Sequence, residues 1–206
     1  MTIAIRRLTT GGNHTLSRRA QLELLFFGFV RPYKGVDVLI EAMAQLRRRD
    51  VRLTIVGEFW QGLDATMARV EALGLSGIVD LVPRFVAEQA AAEYFGRADL
   101  LVLPYRHATG SGVVAMAVHY GKPVLASRVG GLEDVVLDGQ TGYLVEPGSA
   151  QALAGRIDRI TSEELAAMRL PIERLKARMT WDGLVVALLD LFGASPARTD
   201  VRSSVV

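Results

Sequence analysis

Six runs of strand length in this chain are apolar nearly throughout, without the alternation of a half-exposed strand. They are LELLFFGFV (22–30), RLTIVG (52–57), GIVDLVP (77–83), DLLVLPY (99–105), KPVLAS (122–127) and TGYLVE (141–146). Strands of this kind are covered on both faces, as in parallel sheets. The segments between them read as helices. Val36, Leu39, Ile40, Met43 and Leu46 fall on one helical face. Further helices are predicted at 62–73, ending near Gly74, at 87–98, and at 112–120, the last apolar and stopped by Gly121. Strands alternating with helices predict right-handed crossovers and an α/β, doubly wound parallel sheet of Rossmann-like type. The last ~45 residues before the C-terminal tail carry only helical patterns.

Composition limits what such a sheet can serve. The 206 residues suffice for one domain, expected over 21–192, with a lead-in at 1–20 and a disordered tail at 193–206. The lead-in carries Arg6, Arg7, Arg18 and Arg19. Half of the residues are hydrophobic, and 24 Lys and Arg against 22 Asp and Glu leave a formal charge of +2. No dense basic face emerges, which argues against a nucleic-acid partner. The absence of cysteine excludes disulfides and thiolate metal sites and fits a reducing compartment. No apolar run approaches the ~18 residues of a spanning helix. The expectation is a cytoplasmic protein, with peripheral membrane contact left open.

Doubly wound sheets bind ligands beyond the carboxyl ends of their strands, so the loops after the strands carry the argument. The first reads GFVRPYKG (28–35). Arg31 and Lys34 stand just ahead of a helix, where cations oppose the positive end of the helix dipole. A bound phosphate would satisfy both cations and the free N–H groups; two solvated surface cations explain the loop equally well. The fourth reads RHATGSGVVA (106–115). Thr109 or Ser111 can cap the following helix, and Gly110 and Gly112 allow a ligand close to the backbone. That helix is expected to be buried, its start facing a dry crevice. The fifth, SRVGGLEDVV (127–136), places Gly130 and Gly131 before a short helix; a close ligand or a tight turn accounts for the pair. His119 is expected in the core and His107 at the crevice mouth, in reach of a sugar or phosphate. No helix face carries metal-ligand spacing. Ser111 has no credible triad, and its loop is not a nucleophile elbow.

As an ordered set these segments resemble a known family. FFGFVRPYKGVDVLIEAM resembles the opening of the C-terminal domain of GT-B-type, family 4 retaining glycosyltransferases. DLLVLPYRHATGSGVVAMAVHYGKPVLASRVGGLEDVVLDGQTGYLVEPGS resembles its donor-binding half, and MTWDGL (179–184) is similar to the tryptophan segment before its terminal helix. The resemblance implies a donor domain that binds a nucleotide-diphosphate sugar, most commonly a UDP-sugar, as substrate and without a separate cofactor or metal. It implies Arg31 and Lys34 on the pyrophosphate, and Gly28 admitting the donor to the first loop. Thr109, Gly110, Ser111 and Gly112 would face phosphates and sugar, and the backbone of Val82, Pro83 and Arg84 would read the base.

Two features depart from the family. Its usual pair of glutamates, eight positions apart, falls on Ala108 and Met116. Asp134 or Glu133, beside the Gly130–Gly131 pair, is a candidate replacement at the ribose. The family's N-terminal acceptor-binding domain has no counterpart in these residues, so the chain alone is expected to be inactive. Two alternatives remain. Gly110-Ser111-Gly112-Val113-Val114-Ala115 satisfies the dinucleotide pattern of NAD(P)-binding domains, though that pattern belongs in the first loop. A non-catalytic nucleotide-sugar-binding module is the other.

Overall fold

The structure, a computed structural model, describes residues 22–179. The expected lead-in, the expected tail and the Trp181 segment lie outside the described residues.

Strands β1 (Leu22–Phe27), β2 (Val51–Val56), β3 (Val79–Val82), β4 (Leu100–Leu103), β5 (Val124–Ser127) and β6 (Gly142–Val145) form one sheet. All pairings are parallel, in the order β3-β2-β1-β4-β5-β6. The winding reverses between β1 and β4, which makes that boundary the topological switch point. The inner strands β4 and β5 are buried at every position and β1 at all but Glu23, whereas edge strands β3 and β6 are half open. Continuous apolar patterning therefore marks the centre of the sheet, as two-sided burial requires.

Helices α1 (Val36–Gln45), α2 (Leu63–Ala72), α3 (Glu88–Arg97), α4 (Gly112–His119), α5 (Ala150–Ile157), α6 (Ser162–Ala167) and α7 (Arg169–Arg178) complete the described residues. α1 buries Val36, Leu39, Ile40 and Met43 and packs beside α5. α3 lies on β1, and α4 packs beside α7. Phe95 of α3 is fully buried, tilted against Phe27 at 5.2 Å and stacked on Tyr120 at 4.9 Å. Truncating so buried an aromatic costs about 3–5 kcal/mol.

Several expectations need correction. β1 stops at Phe27 rather than Val30, because Gly28 turns to φ +104. Pairing resumes only as an isolated bridge between Val30 and Phe59. α4 is not wholly buried: Val114, Ala117 and Val118 face the core, while Ala115 and His119 are exposed. His119 is thus not a core histidine; it stands edge-on to Tyr120 at 4.9 Å at the open end of the helix. The short helix after β5 is one 3-10 turn, Gly130–Leu132, that contains the two glycines rather than following them.

Candidate active site

The exits of the first three strands lie backbone against backbone. A Cβ on Gly57, which follows β2, would overlap the carbonyl oxygen of Gly28, and the Gly57 N–H donates to the Val82 carbonyl at 3.1 Å. Gly28 is itself enclosed. A Cβ there would come 3.3 Å from Val113 Cγ2 at the start of α4 and 3.4 Å from Lys34 Nζ. The first and fourth loops, far apart in sequence, therefore meet at the switch point. Gly35 secures the contact, since its left-handed backbone (φ +68) lies directly on the Pro104 carbonyl. Arg106 adds a second tie. Its N–H donates to the Tyr33 carbonyl at 2.7 Å, and its guanidinium spans the Asp37 carboxylate and the Pro32 carbonyl. Asp37 lies in the first turn of α1, so that helix end already has a compensating carboxylate.

Lys34 ends the 3-10 turn Pro32–Lys34 and is only 8% exposed. Its ammonium has no hydrogen bond or ion pair among the described residues; it sits 5.4 Å from the centroid of the Tyr105 ring. Burial, then the charge of nearby Arg31, lowers its pKa below the usual lysine range. A buried cation without an anionic partner is costly, so an anion arriving here recovers solvation that folding removed. Arg31 is half-buried and carries its guanidinium 3.6 Å from the centroid of the Trp60 ring. Tyr105 is buried, its phenol pushed up to about 12 by burial, and its hydroxyl lies 3.5 Å from Ser111 Oγ.

Ser111 occupies the N-cap position of α4, but neither it nor Thr109 caps the helix with a side chain. The expected capping bond gives way to the Tyr105 contact, and the first N–H groups of the helix receive no side-chain acceptor. Among the described residues, and apart from chain neighbours and the helix's own backbone, no atom lies within 4 Å of where a Cβ would stand on Gly110 or Gly112. Internal packing therefore does not require these glycines. The Gly130–Gly131 pair has a different cause. Side chains there would strike the carbonyls of Ala108 and Thr109, so the pair seats one loop on the backbone of another.

The remaining predicted residues are less engaged. Pro83 and Arg84 are exposed after β3, with the Arg84 N–H donating to the Val82 carbonyl at 2.9 Å. Asp134 is exposed, and no contact ties it to Lys34 or Gly28. Its neighbour Glu133 pairs with Arg128 at 3.6 Å. Ala108 and Met116, at the family's glutamate positions, pack partly buried against the core. An open groove of about 810 Å³ lies on the outer side of the first loop, lined by Arg31, Tyr33, Thr66, Arg106 and His107 among others. His107 stacks on Tyr33 at 5.3 Å rather than facing Lys34. Sequence reasoning missed Tyr105, Val113 and Trp60. The first two are indistinguishable from core positions. Trp60, 61% exposed in the loop GEFWQG, carried a usable signal: a large aromatic side chain beside a strand exit with nothing to bury it.

Known proteins match this arrangement. The family model for group 1 glycosyl transferases matches residues 21–163. The D-inositol 3-phosphate glycosyltransferase of Xylanimonas cellulosilytica is 32% identical over 184 residues, covering 87% of this chain and 44% of that protein. The chain thus spans less than half the length of this relative. Among solved structures, the C-terminal domain of the group 1 glycosyl transferase LpcC from Francisella tularensis superposes with a TM-score of 0.69 at 21% identity, over 77% of this chain and 85% of that one. Anabaena HepE, solved in complex with UDP and glucose, superposes with a TM-score of 0.72 at 23% identity, over 85% of this chain and 49% of that one. No helix among the described residues is long and apolar enough to cross a membrane. The match over residues 21–163, carried on a Rossmann-like sheet of the GT-B kind, makes the chain a member of the group 1 glycosyl transferase family.

Proposed function

We propose that this chain is the donor-binding half of a glycosyltransferase, taking a nucleoside diphosphate sugar, with UDP as the nucleotide. The observation that carries the reading is Lys34: a buried ammonium with no anionic partner among the described residues, beside Gly28 and the uncapped start of α4. Cation, helix N–H groups and unobstructed glycines are what a diphosphate needs. HepE, whose structures hold UDP and UDP-glucose, has the same fold and supports this choice of nucleotide. The nucleotide sugar is a substrate here, with no resident cofactor in the scheme.

The roles divide by chemistry. Lys34 and Arg31 neutralise the diphosphate. Gly28 lets it approach the β1 exit, and Thr109, Gly110, Ser111 and Gly112 present hydroxyl and N–H donors to the phosphates and the sugar. The backbone at Pro83 and Arg84 faces the base. With Ala108 and Met116 at the family's glutamate positions the ribose is held weakly, the exposed Asp134 supplying at most one solvated hydrogen bond. Build-up of negative charge on the leaving diphosphate during transfer would be stabilised by the same cations and helix end. The acceptor is held by a part of the enzyme outside these residues, so the chain alone transfers no sugar at an appreciable rate.

The dinucleotide alternative fits poorly. The glycine pattern follows β4, whereas dinucleotide sites use the first loop, which here reads GFVRPYKG. Calorimetric titration with UDP, GDP, UMP and NADP tests the proposal. UDP or GDP should bind, UMP far more weakly. NADP binding without UDP or GDP binding would overturn it.

A further inference from the structure

We propose that Trp60 is a positioning residue that holds Arg31 in its diphosphate-binding pose; this rests on the nucleoside-diphosphate reading above. Arg31 meets no carboxylate among the described residues, and its guanidinium stacks 3.6 Å from the centroid of the Trp60 ring. The ring is braced in turn, with Phe29 edge-on to it at 6.2 Å and 76°. The backbones beneath are stapled across the two strand exits. Val30 N–H donates to the Glu58 carbonyl at 2.9 Å, Trp60 N–H donates to the Val30 carbonyl at 3.3 Å, and Val30 bridges Phe59. This short continuation of the β1–β2 pairing, resumed after the Gly28 turn, places an indole of the second loop against a guanidinium of the first.

The geometry divides the work of the guanidinium. Its five N–H donors lie in its plane and its face carries none. Stacking occupies the face and leaves every donor free for phosphate oxygens. A freely rotating arginine loses rotamer entropy when it binds; one already stacked loses less. Trp60 has no such packing reason to be aromatic, since it is 61% exposed and outside the core. The neighbouring Glu58 and Gln61 make no hydrogen bond or ion pair with Arg31, so the indole is the aromatic or charged partner that the second loop offers it.

The test is a double-mutant cycle on the full 206-residue chain, with UDP titrated calorimetrically into wild type, Arg31→Ala, Trp60→Ala, the double variant and Trp60→Phe. Trp60→Ala should weaken UDP about three- to fivefold, the worth of one exposed cation–π contact, and Trp60→Phe should recover most of it. In the Arg31→Ala background, Trp60→Ala should change nothing further, and no variant should lose more thermal stability than this one exposed contact is worth. An equal penalty in both backgrounds would mean that Trp60 touches the nucleotide itself and would overturn the proposal. Unchanged or tighter binding by Trp60→Ala would overturn it too. Lys34→Ala separates the two levels. If it abolishes UDP binding while Trp60 proves additive with Arg31, the diphosphate site stands and the positioning role falls. If the wild-type chain binds neither UDP nor GDP, both fall.

Discussion

Replacing Lys34 by methionine keeps most of the stem and removes the charge, which separates what the ammonium does for folding from what it does for binding. At neutral pH the folded chain carries this cation buried, at the N-terminal side of α1, and without an anion among the described residues. Its loss should stabilise the fold by at least the ~0.3–1 kcal/mol of an unfavourable helix-dipole charge. For a domain of this size that raises Tm by about 1–4 °C. The sign follows from linkage. Burial sets the folded pKa below the ordinary 10.5. Between the lowered value and 10.5 the unfolded chain holds more protons, so stability rises with pH there. The advantage of Lys34→Met should accordingly be full at neutral pH and shrink as pH rises through the lowered pKa toward 10.5. Binding should move oppositely. A lost charge-assisted hydrogen bond of ~1.5–3 kcal/mol weakens UDP about 10- to 150-fold at neutral pH. Wild-type affinity should fall as Lys34 deprotonates, while that of Lys34→Met stays flat. Differential scanning fluorimetry and calorimetry from neutral pH up to the ordinary lysine value of 10.5 read both effects. A destabilised variant would refute the idea that the ammonium lacks a partner, and an unchanged UDP affinity would refute its role at the diphosphate.

Other perturbations test neighbouring parts of the account. Gly131→Ala would drive a methyl into the Thr109 carbonyl; it should weaken UDP and lower Tm together, although the proposed site gives this glycine no ligand contact of its own, and calorimetry with a melt checks both. Asp37→Asn breaks the Arg106 pair, both partners of which are exposed, so it should cost under ~1 kcal/mol at pH 7. Hydrogen bonding from Arg106 lowers the Asp37 pKa below 3.8, so that stabilisation is complete above the ordinary value and is lost as pH falls through the lowered one; urea melts from pH 7 downward should show the two proteins converging. With Ala108 and Met116 at the glutamate positions, 2′-deoxy-UDP should bind within ~1 kcal/mol of UDP. A penalty of several kcal/mol, abolished by Asp134→Ala, would instead show that Asp134 has taken the ribose at full strength.

The sheet was legible because burial leaves a direct mark on composition. A strand covered on both faces, such as LLVL of β4, has no polar position to spare. Boundaries were less legible where one residue overrides the pattern: Phe29 and Val30 look like a continuation of β1, yet the turn at Gly28 ends it. The grouping of Gly28, Lys34 and the start of α4 was foreseeable from topology, since the loops after β1 and β4, neighbours in the sheet, flank the switch-point crevice. What the sequence could not disclose was which groups the chain would satisfy internally. Arg31 and Lys34 looked alike, but one stacks on an indole and the other is buried over a phenol ring. The Gly130–Gly131 pair looked equally suited to a ligand or a turn, and loop-on-loop packing decided it. His119 sits in an apolar helix, but only one stripe of that helix is covered, and the histidine is off it.

The most direct test of the donor-site account is a crystal structure of the chain with UDP. The diphosphate should lie between Lys34 and the start of α4, with phosphate oxygens within about 3 Å of the Lys34 ammonium and of the N–H groups over 110–113. The uracil should lie toward Pro83 and Arg84. UDP found instead in the groove beside Tyr33 and His107, with the Lys34 ammonium still unpaired, would contradict it.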